Sequence, residues 1–86
     1  MSNIVTMKNI VPISKFKEGQ TVQGFYLCID KKLRHTRTGE LYIDILLRDQ
    51  TGQVQAKIWN KVKELDKKFS AGDAVAAKGS VEIFID

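Results

Sequence analysis

The side chains in this sequence that could act on a ligand are aromatic and cationic rather than nucleophilic. Tyr42, Arg48, Gln55, Lys57 and Trp59 share one face of two neighbouring segments, and Lys31, Lys32, Arg34, His35 and Arg37 crowd the stretch just before them. An aromatic ring gives a nucleobase a surface to stack on, worth about 1 to 3 kcal/mol per base, and a row of cations tracks a phosphodiester backbone. Together these types suit the holding of a single nucleic-acid strand. Acid–base and metal chemistry lack materials, because His35 is the one histidine and Cys28 the one cysteine, too few for a site built on several such ligands. No Gly-rich phosphate loop of the P-loop kind occurs, and the carboxylates are scattered. The expectation is no catalytic residue, no metal ligand and no cofactor, with this chain not itself an enzyme.

Two strands must position the aromatic and cationic face. Leu41, Ile43, Ile45 and Leu47 alternate with Tyr42, Asp44, Leu46 and Arg48, which is the period of a half-buried strand. Asp49-Gln50-Thr51-Gly52 follows as a tight turn, with Gly52 expected at positive φ. Val54, Ala56 and Ile58 then continue the buried face, and Gln53, Gln55, Lys57 and Trp59 the open one. Trp59 fits two roles, a stacking platform or a core residue packed under Val62. Arg48 likewise either meets phosphate or pairs with Asp44 two residues away, and Asp44 itself repels phosphate.

Around this hairpin the pattern predicts a strand over 21–32, with Phe25, Leu27 and Ile29 inward and Tyr26 and Cys28 outward. A bulge near Gly24 would bring Val22 inward as well. Tyr26 thereby joins the candidate site, and Cys28 reads as a small hydrophobe. Residues 31–39 form a basic loop with four cations and a histidine. Asn60 can cap a helix running to about Phe69 with Val62, Leu65 and Phe69 on one face, its lysines forming a solvated surface. Ser70-Ala71-Gly72-Asp73 turns the chain into a last strand over 74–86, bulged at Gly79-Ser80, with Val75, Ala77, Val81, Ile83 and Ile85 inward.

At 86 residues the chain is one domain that buries about 60 to 65 per cent of its unfolded surface, too little for a deep enclosed site. Residues 1–18 read as a lead-in packing on a barrel formed by residues 19–86, with Pro12 confining any strand there to an edge. Hydrophobic residues at 43% and charged residues at 28%, with one proline, describe a folding globular chain. Fourteen Lys and Arg against ten Asp and Glu give a net charge of +4, a basic excess that matters where it is clustered. A lone cysteine, no secretory leader and no long apolar run imply a reduced cytoplasmic setting.

Strand, basic loop, strand, tight turn, strand, helix, strand is the order of a small Greek-key OB-fold barrel, all-β with one helix. The usual fifth strand has no counterpart before Asp86, which reads as a domain cut from a longer protein. Gly24-Phe25-Tyr26-Leu27, the basic loop, Leu46-Leu47-Arg48-Asp49-Gln50-Thr51-Gly52 and Ala56-Lys57-Ile58-Trp59-Asn60 resemble the amino-terminal OB domain of YhaM-like 3'-5' exoribonucleases. The resemblance runs from about Glu18 to Asp86. Its Leu-Arg-Asp-x-Thr-Gly portion is also similar to the anticodon-binding OB domains of class II aminoacyl-tRNA synthetases. The resemblance implies an accessory domain that binds nucleic acid and precedes a metal-dependent HD phosphohydrolase domain, so that the parent protein is a metal-dependent exoribonuclease.

The candidate nucleic-acid-binding residues are therefore Tyr26, Lys32, Arg34, His35, Arg37, Tyr42, Arg48, Gln55, Lys57 and Trp59. The expected partner is single-stranded nucleic acid, RNA before DNA, with no membrane. The alternative is a protein-interaction or oligomerisation module, a homo-oligomer formed through the open barrel edge.

Overall fold

The computed structural model describes residues 11–82; the lead-in residues Ile4, Val5, Met7 and Ile10 and the expected alternation of Ile83 and Ile85 lie outside the described residues. A 3-10 turn, Ile13–Lys15, leads into β1 (Thr21–His35), β2 (Leu41–Asp49), β3 (Gly52–Ile58), the short helix α1 (Val62–Asp66) and β4 (Ala74–Ser80). The strands form one antiparallel sheet in the order β3-β2-β1-β4. The architecture is all-β with one helix, a small OB-fold barrel with four strands among the described residues.

The β2–β3 hairpin follows its sequence pattern. Ile43, Ile45 and Leu47 are buried, their partners Ile58, Ala56 and Val54 are half-buried, and Arg48, Gln53, Gln55 and Lys57 are exposed. The turn is built differently from expectation. Asp49 Oδ1 accepts from the Thr51 N–H at 2.8 Å, the Thr51 hydroxyl at 2.6 Å and the Gly52 N–H at 3.1 Å. Gly52 does not adopt positive φ, and a methyl group placed on it would meet Ile13 at an ordinary 3.7 Å. The carboxylate, rather than glycine's freedom, closes this turn. Gly39, at φ 92°, is the glycine that its turn requires.

β1 departs from expectation in its parity. Val22, Gly24, Tyr26 and Cys28 face inward, while Phe25, Leu27 and Ile29 face out. The register of β1 on β2 slips between Cys28 and Asp30, so the bulge lies at Ile29 and not at Gly24. Its cause is a change of neighbour. Cys28 donates its N–H to the Asp73 carbonyl at 2.8 Å and accepts from the Gly72 N–H at 2.7 Å, which ends the pairing with β4. Beyond it the strand runs on against β2 alone. β1 therefore runs past the expected end at Lys32 to take in Leu33 to His35, and the expected basic loop shrinks to the turn over 36–40.

Ile13, Tyr26, Cys28, Ile43, Ile45, Leu47 and Val62 form the core, with Phe16, Leu65, Phe69, Val75 and Ala77 packed against it. Tyr26 meets Phe16 edge to face at 6.2 Å, and its hydroxyl donates to the Val11 carbonyl at 2.8 Å. α1 ends at Asp66, short of the expected Phe69; at its start Lys61, at φ 52°, occupies the cap position in the left-handed region, and no side chain caps the first turn. Asn60 is not its cap. Val62, Leu65 and Phe69 do face the core. Lys31, inward after the bulge, ties the helix end down. Its ammonium donates to the Asp66 and Phe69 carbonyls, pairs with the Asp66 carboxylate at 3.0 Å and stands over the Phe69 ring. β4 carries no bulge at Gly79, which pairs with Val22 in an unbroken register.

Candidate nucleic-acid interface

Since Ile43 and Ile58 are inward partners, Tyr42 and Trp59 beside them emerge together on the outer face. Their rings lie 4.7 Å apart at 32°, within the range of offset stacking. Trp59 is 42% exposed. It therefore lies on the outer face and not in the core. The Lys57 ammonium stands 5.5 Å from the centre of the Tyr42 ring, which places a cation beside an aromatic platform.

Cross-strand register sets out the rest of this face. Arg34 stands opposite Tyr42, and Lys32 opposite Asp44, which in turn faces Lys57. Asp30 and Gln55 flank Leu46, and Arg48 lies between Gln53 and Leu27. The outer face thus brings together Lys32, Arg34, Tyr42, Arg48, Gln55, Lys57 and Trp59, seven of the predicted residues. Asp44 pairs with Arg34, whose Nε lies 3.2 Å from Oδ2; the expected alternative partner, Arg48, is exposed beyond Leu46. Lys32 pairs loosely with Asp30 at 3.9 Å, an exposed contact of little energetic weight.

Three predicted residues lie elsewhere. Tyr26 is 5% exposed in the core, so it cannot offer a ring to a base, and burial first, then the charge of Asp49, pushes its hydroxyl above the ordinary value. His35 pairs with Leu41 and shares the inner side of the β1–β2 arm, opposite Arg34. Arg37 is exposed in the turn at the tip of that arm.

In place of Tyr26 the structure presents Phe25, 62% exposed, followed by Leu27 and Ile29. Phe25 pairs with Ala76 and Leu27 with Ala74, small residues that leave these side chains open. Sequence reasoning missed Phe25 because Phe, Leu and Ile form the more hydrophobic set. The available signal was the unbroken alternation of Val22, Gly24, Tyr26 and Cys28, which needs no bulge at Gly24.

Two ionisable groups near this face are structural. Burial, the largest influence on Cys28, pushes its thiol above the ordinary range, the state of an inert cysteine. Burial also acts to raise Asp49. Hydrogen bonds from the Thr51 hydroxyl and from the Ile13, Thr51 and Gly52 N–H groups outweigh it and hold the carboxyl below its usual value. Since Asp49 Oδ2 receives the Ile13 N–H at 2.9 Å and Thr51 Oγ1 the Ser14 N–H at 3.0 Å, the Asp-x-Thr-Gly turn is a dock for the 3-10 turn. That sequence motif carries folding. Among the described residues no cluster of His, Cys, Asp or Glu could hold a metal ion, and no helix is long and apolar enough to cross a membrane.

Comparison with known proteins bears on the family. The tRNA anti-codon family, described as an OB-fold nucleic acid binding domain, matches residues 28–85. The 3'-5' exoribonuclease YhaM of Oceanobacillus iheyensis is 24% identical over 66 residues, covering 77% of this chain and 21% of that protein. The chain thus spans about a fifth of the length of that relative. No solved structure matches the chain.

Proposed function

The chain belongs to the tRNA anti-codon family of OB-fold nucleic-acid-binding domains, and on that premise we propose that it holds single-stranded RNA on the outer face of β1, β2 and β3. The observation that carries the reading is the exposed Tyr42–Trp59 stack with Lys57 beside it. Bases stack on Trp59 and Tyr42, and Phe25 serves as a second platform further along β1. Lys32, Arg34, Arg48 and Lys57 follow the phosphates between the platforms, Arg37 extends that path at the arm's tip, and Gln55 donates to or accepts from base edges. Phe25 and Arg34 are nine residues apart in β1, about 30 Å at roughly 3.3 Å per residue. His35, on the other side of the arm, takes no part.

RNA is favoured over DNA by the likeness to an exoribonuclease. The same likeness supports an accessory role, in which this domain delivers a strand to a nuclease site elsewhere in a longer polypeptide. Catalysis is not assigned to this chain. Anisotropy titration of labelled single-stranded RNA and DNA across a salt series tests the reading. With about three to five phosphates neutralised, the logarithm of the association constant falls with that of salt at a slope of about −2 to −3.5, and RNA binds more tightly. A salt-independent constant, or no binding at low salt, refutes it. The alternative of self-association has its own support in β3 and β4, which stand at the edges of the sheet. Sedimentation of the same samples separates the two, because edge pairing gives a size that rises with concentration and survives high salt.

A further inference from the structure

Asp44 stands in the middle of the outer face, where phosphate binding has no use for a carboxylate. It lies one alternation from Tyr42 along β2, about 7 Å away, with Lys57 opposite on β3 and Lys32 opposite on β1. Its side chain is 13% exposed and its Oδ2 is taken by Arg34. Its Oδ1 is shielded from solvent and has no hydrogen-bond partner. Folded proteins leave few such oxygens without a donor, because the lost hydration is not replaced. Asp44 also lines a shallow depression in the outer face together with Asp30, Lys32, Arg34, Leu46 and Gln55. Of these, Lys32 and Gln55 are exposed, and long exposed side chains change rotamer within nanoseconds, while Arg34 stays paired with Oδ2. The shielded oxygen can therefore be uncovered.

Resting on the RNA-binding reading above, we propose that Asp44 selects the base that stacks on the Tyr42–Trp59 platform. Oδ1 accepts a hydrogen bond from an amino group on the edge of that base. A carboxylate paired to arginine accepts and does not donate. Cytosine offers an amino group where uracil carries a carbonyl oxygen, and that oxygen faces the carboxylate without a proton between them. The site consequently favours amino-bearing bases over uracil. Arg34 has a positioning role here. It holds Oδ2, leaves Oδ1 as the open acceptor and offsets the negative charge, so that neighbouring phosphates are not driven off.

The test compares labelled oligo(C) and oligo(U) of equal length. The two have the same ring size and the same backbone, and differ on the edge that Asp44 would read, where cytosine carries an amino group beside a bare ring nitrogen and uracil a carbonyl oxygen beside a ring N–H. The unaltered protein binds oligo(C) about tenfold more tightly than oligo(U), the scale of one well-placed base contact. Asp44→Asn, of the same size and able to donate as well as accept, loses most of that ratio while its circular dichroism stays unchanged. Equal affinities for the two oligomers in the unaltered protein overturn the proposal and leave the RNA-binding reading intact. So does a uniform strengthening of both in Asp44→Asn, the result expected if the carboxylate merely repels phosphate. Failure to bind either oligomer at low salt overturns the RNA-binding reading and this proposal with it.

Discussion

The parity of β1 decides which aromatic a ligand can reach, and two alanine substitutions at adjacent positions test it. Phe25 is 62% exposed and Tyr26 5%. Of a roughly 200 Å² aromatic side chain, Phe25 keeps about 75 Å² from water, worth at most about 2 kcal/mol at ~25 cal/mol per Å². Tyr26→Ala empties a core site, a change that destabilises by about 3 to 5 kcal/mol. It also leaves the Val11 carbonyl without the donor it has at 2.8 Å. Urea unfolding should therefore rank Tyr26→Ala below Phe25→Ala by about 2 kcal/mol, or about 8 to 16 °C in thermal midpoint for a domain of this size. A whole domain of 86 residues is stable by only about 4 to 13 kcal/mol, so Tyr26→Phe provides a milder check. It should lose about 1 kcal/mol through the missing hydroxyl. The reverse order, with Phe25→Ala the more damaging, would put Phe25 in the core and remove it from the proposed binding face.

Asp49 should govern part of the acid sensitivity. Its folded value is held low by hydrogen bonds, so the stabilisation is complete above the unfolded carboxyl value of about 3.9 and is lost as pH falls from there through the folded value. Asp49→Asn should be less stable at neutral pH by about 1 to 2 kcal/mol and show a shallower loss between neutral and acid pH; matching slopes for the two proteins would show the turn is held otherwise. Cys28, buried and with a raised thiol value, should react with an alkylating reagent at pH 8 at least about a hundredfold more slowly in the native protein than in urea. Comparable rates would mean that the inner face of β1 is open.

The β2–β3 hairpin could be read from sequence because each strand has one apolar side and a single short turn joins them, so one register buries the apolar set. β1 lacks that asymmetry. Both Phe25-Leu27-Ile29 and Val22-Tyr26-Cys28 are apolar enough to face a core, and the position of a single bulge decides between them. That position depends on where β4 stops pairing with β1, a long-range matter set by Gly72 and Asp73 meeting Cys28. Lys31 to His35 looked like a loop through their charges. They extend as strand because β2 supplies a hydrogen-bonding partner throughout. The outer-face positions were correspondingly legible on β2 and β3, where parity was certain, whereas on β1 Lys32 and Arg34 lie on that face but Tyr26 and His35 lie on the inner one. The role of Asp49 was half legible, since a turn carboxylate was expected there. Its second bond, to Ile13 thirty-six residues away, has no local trace.

Trp59 is the one tryptophan, and it stands on the Tyr42 ring at the centre of the proposed interface, so its fluorescence reports base stacking directly. Titration with single-stranded RNA at low salt should quench that emission in step with anisotropy, and Tyr42→Ala should weaken binding about five- to a hundredfold, the range of one lost stack. Binding seen by anisotropy with Trp59 emission unchanged at saturation would contradict the account, because the strand would then lie somewhere other than on this face.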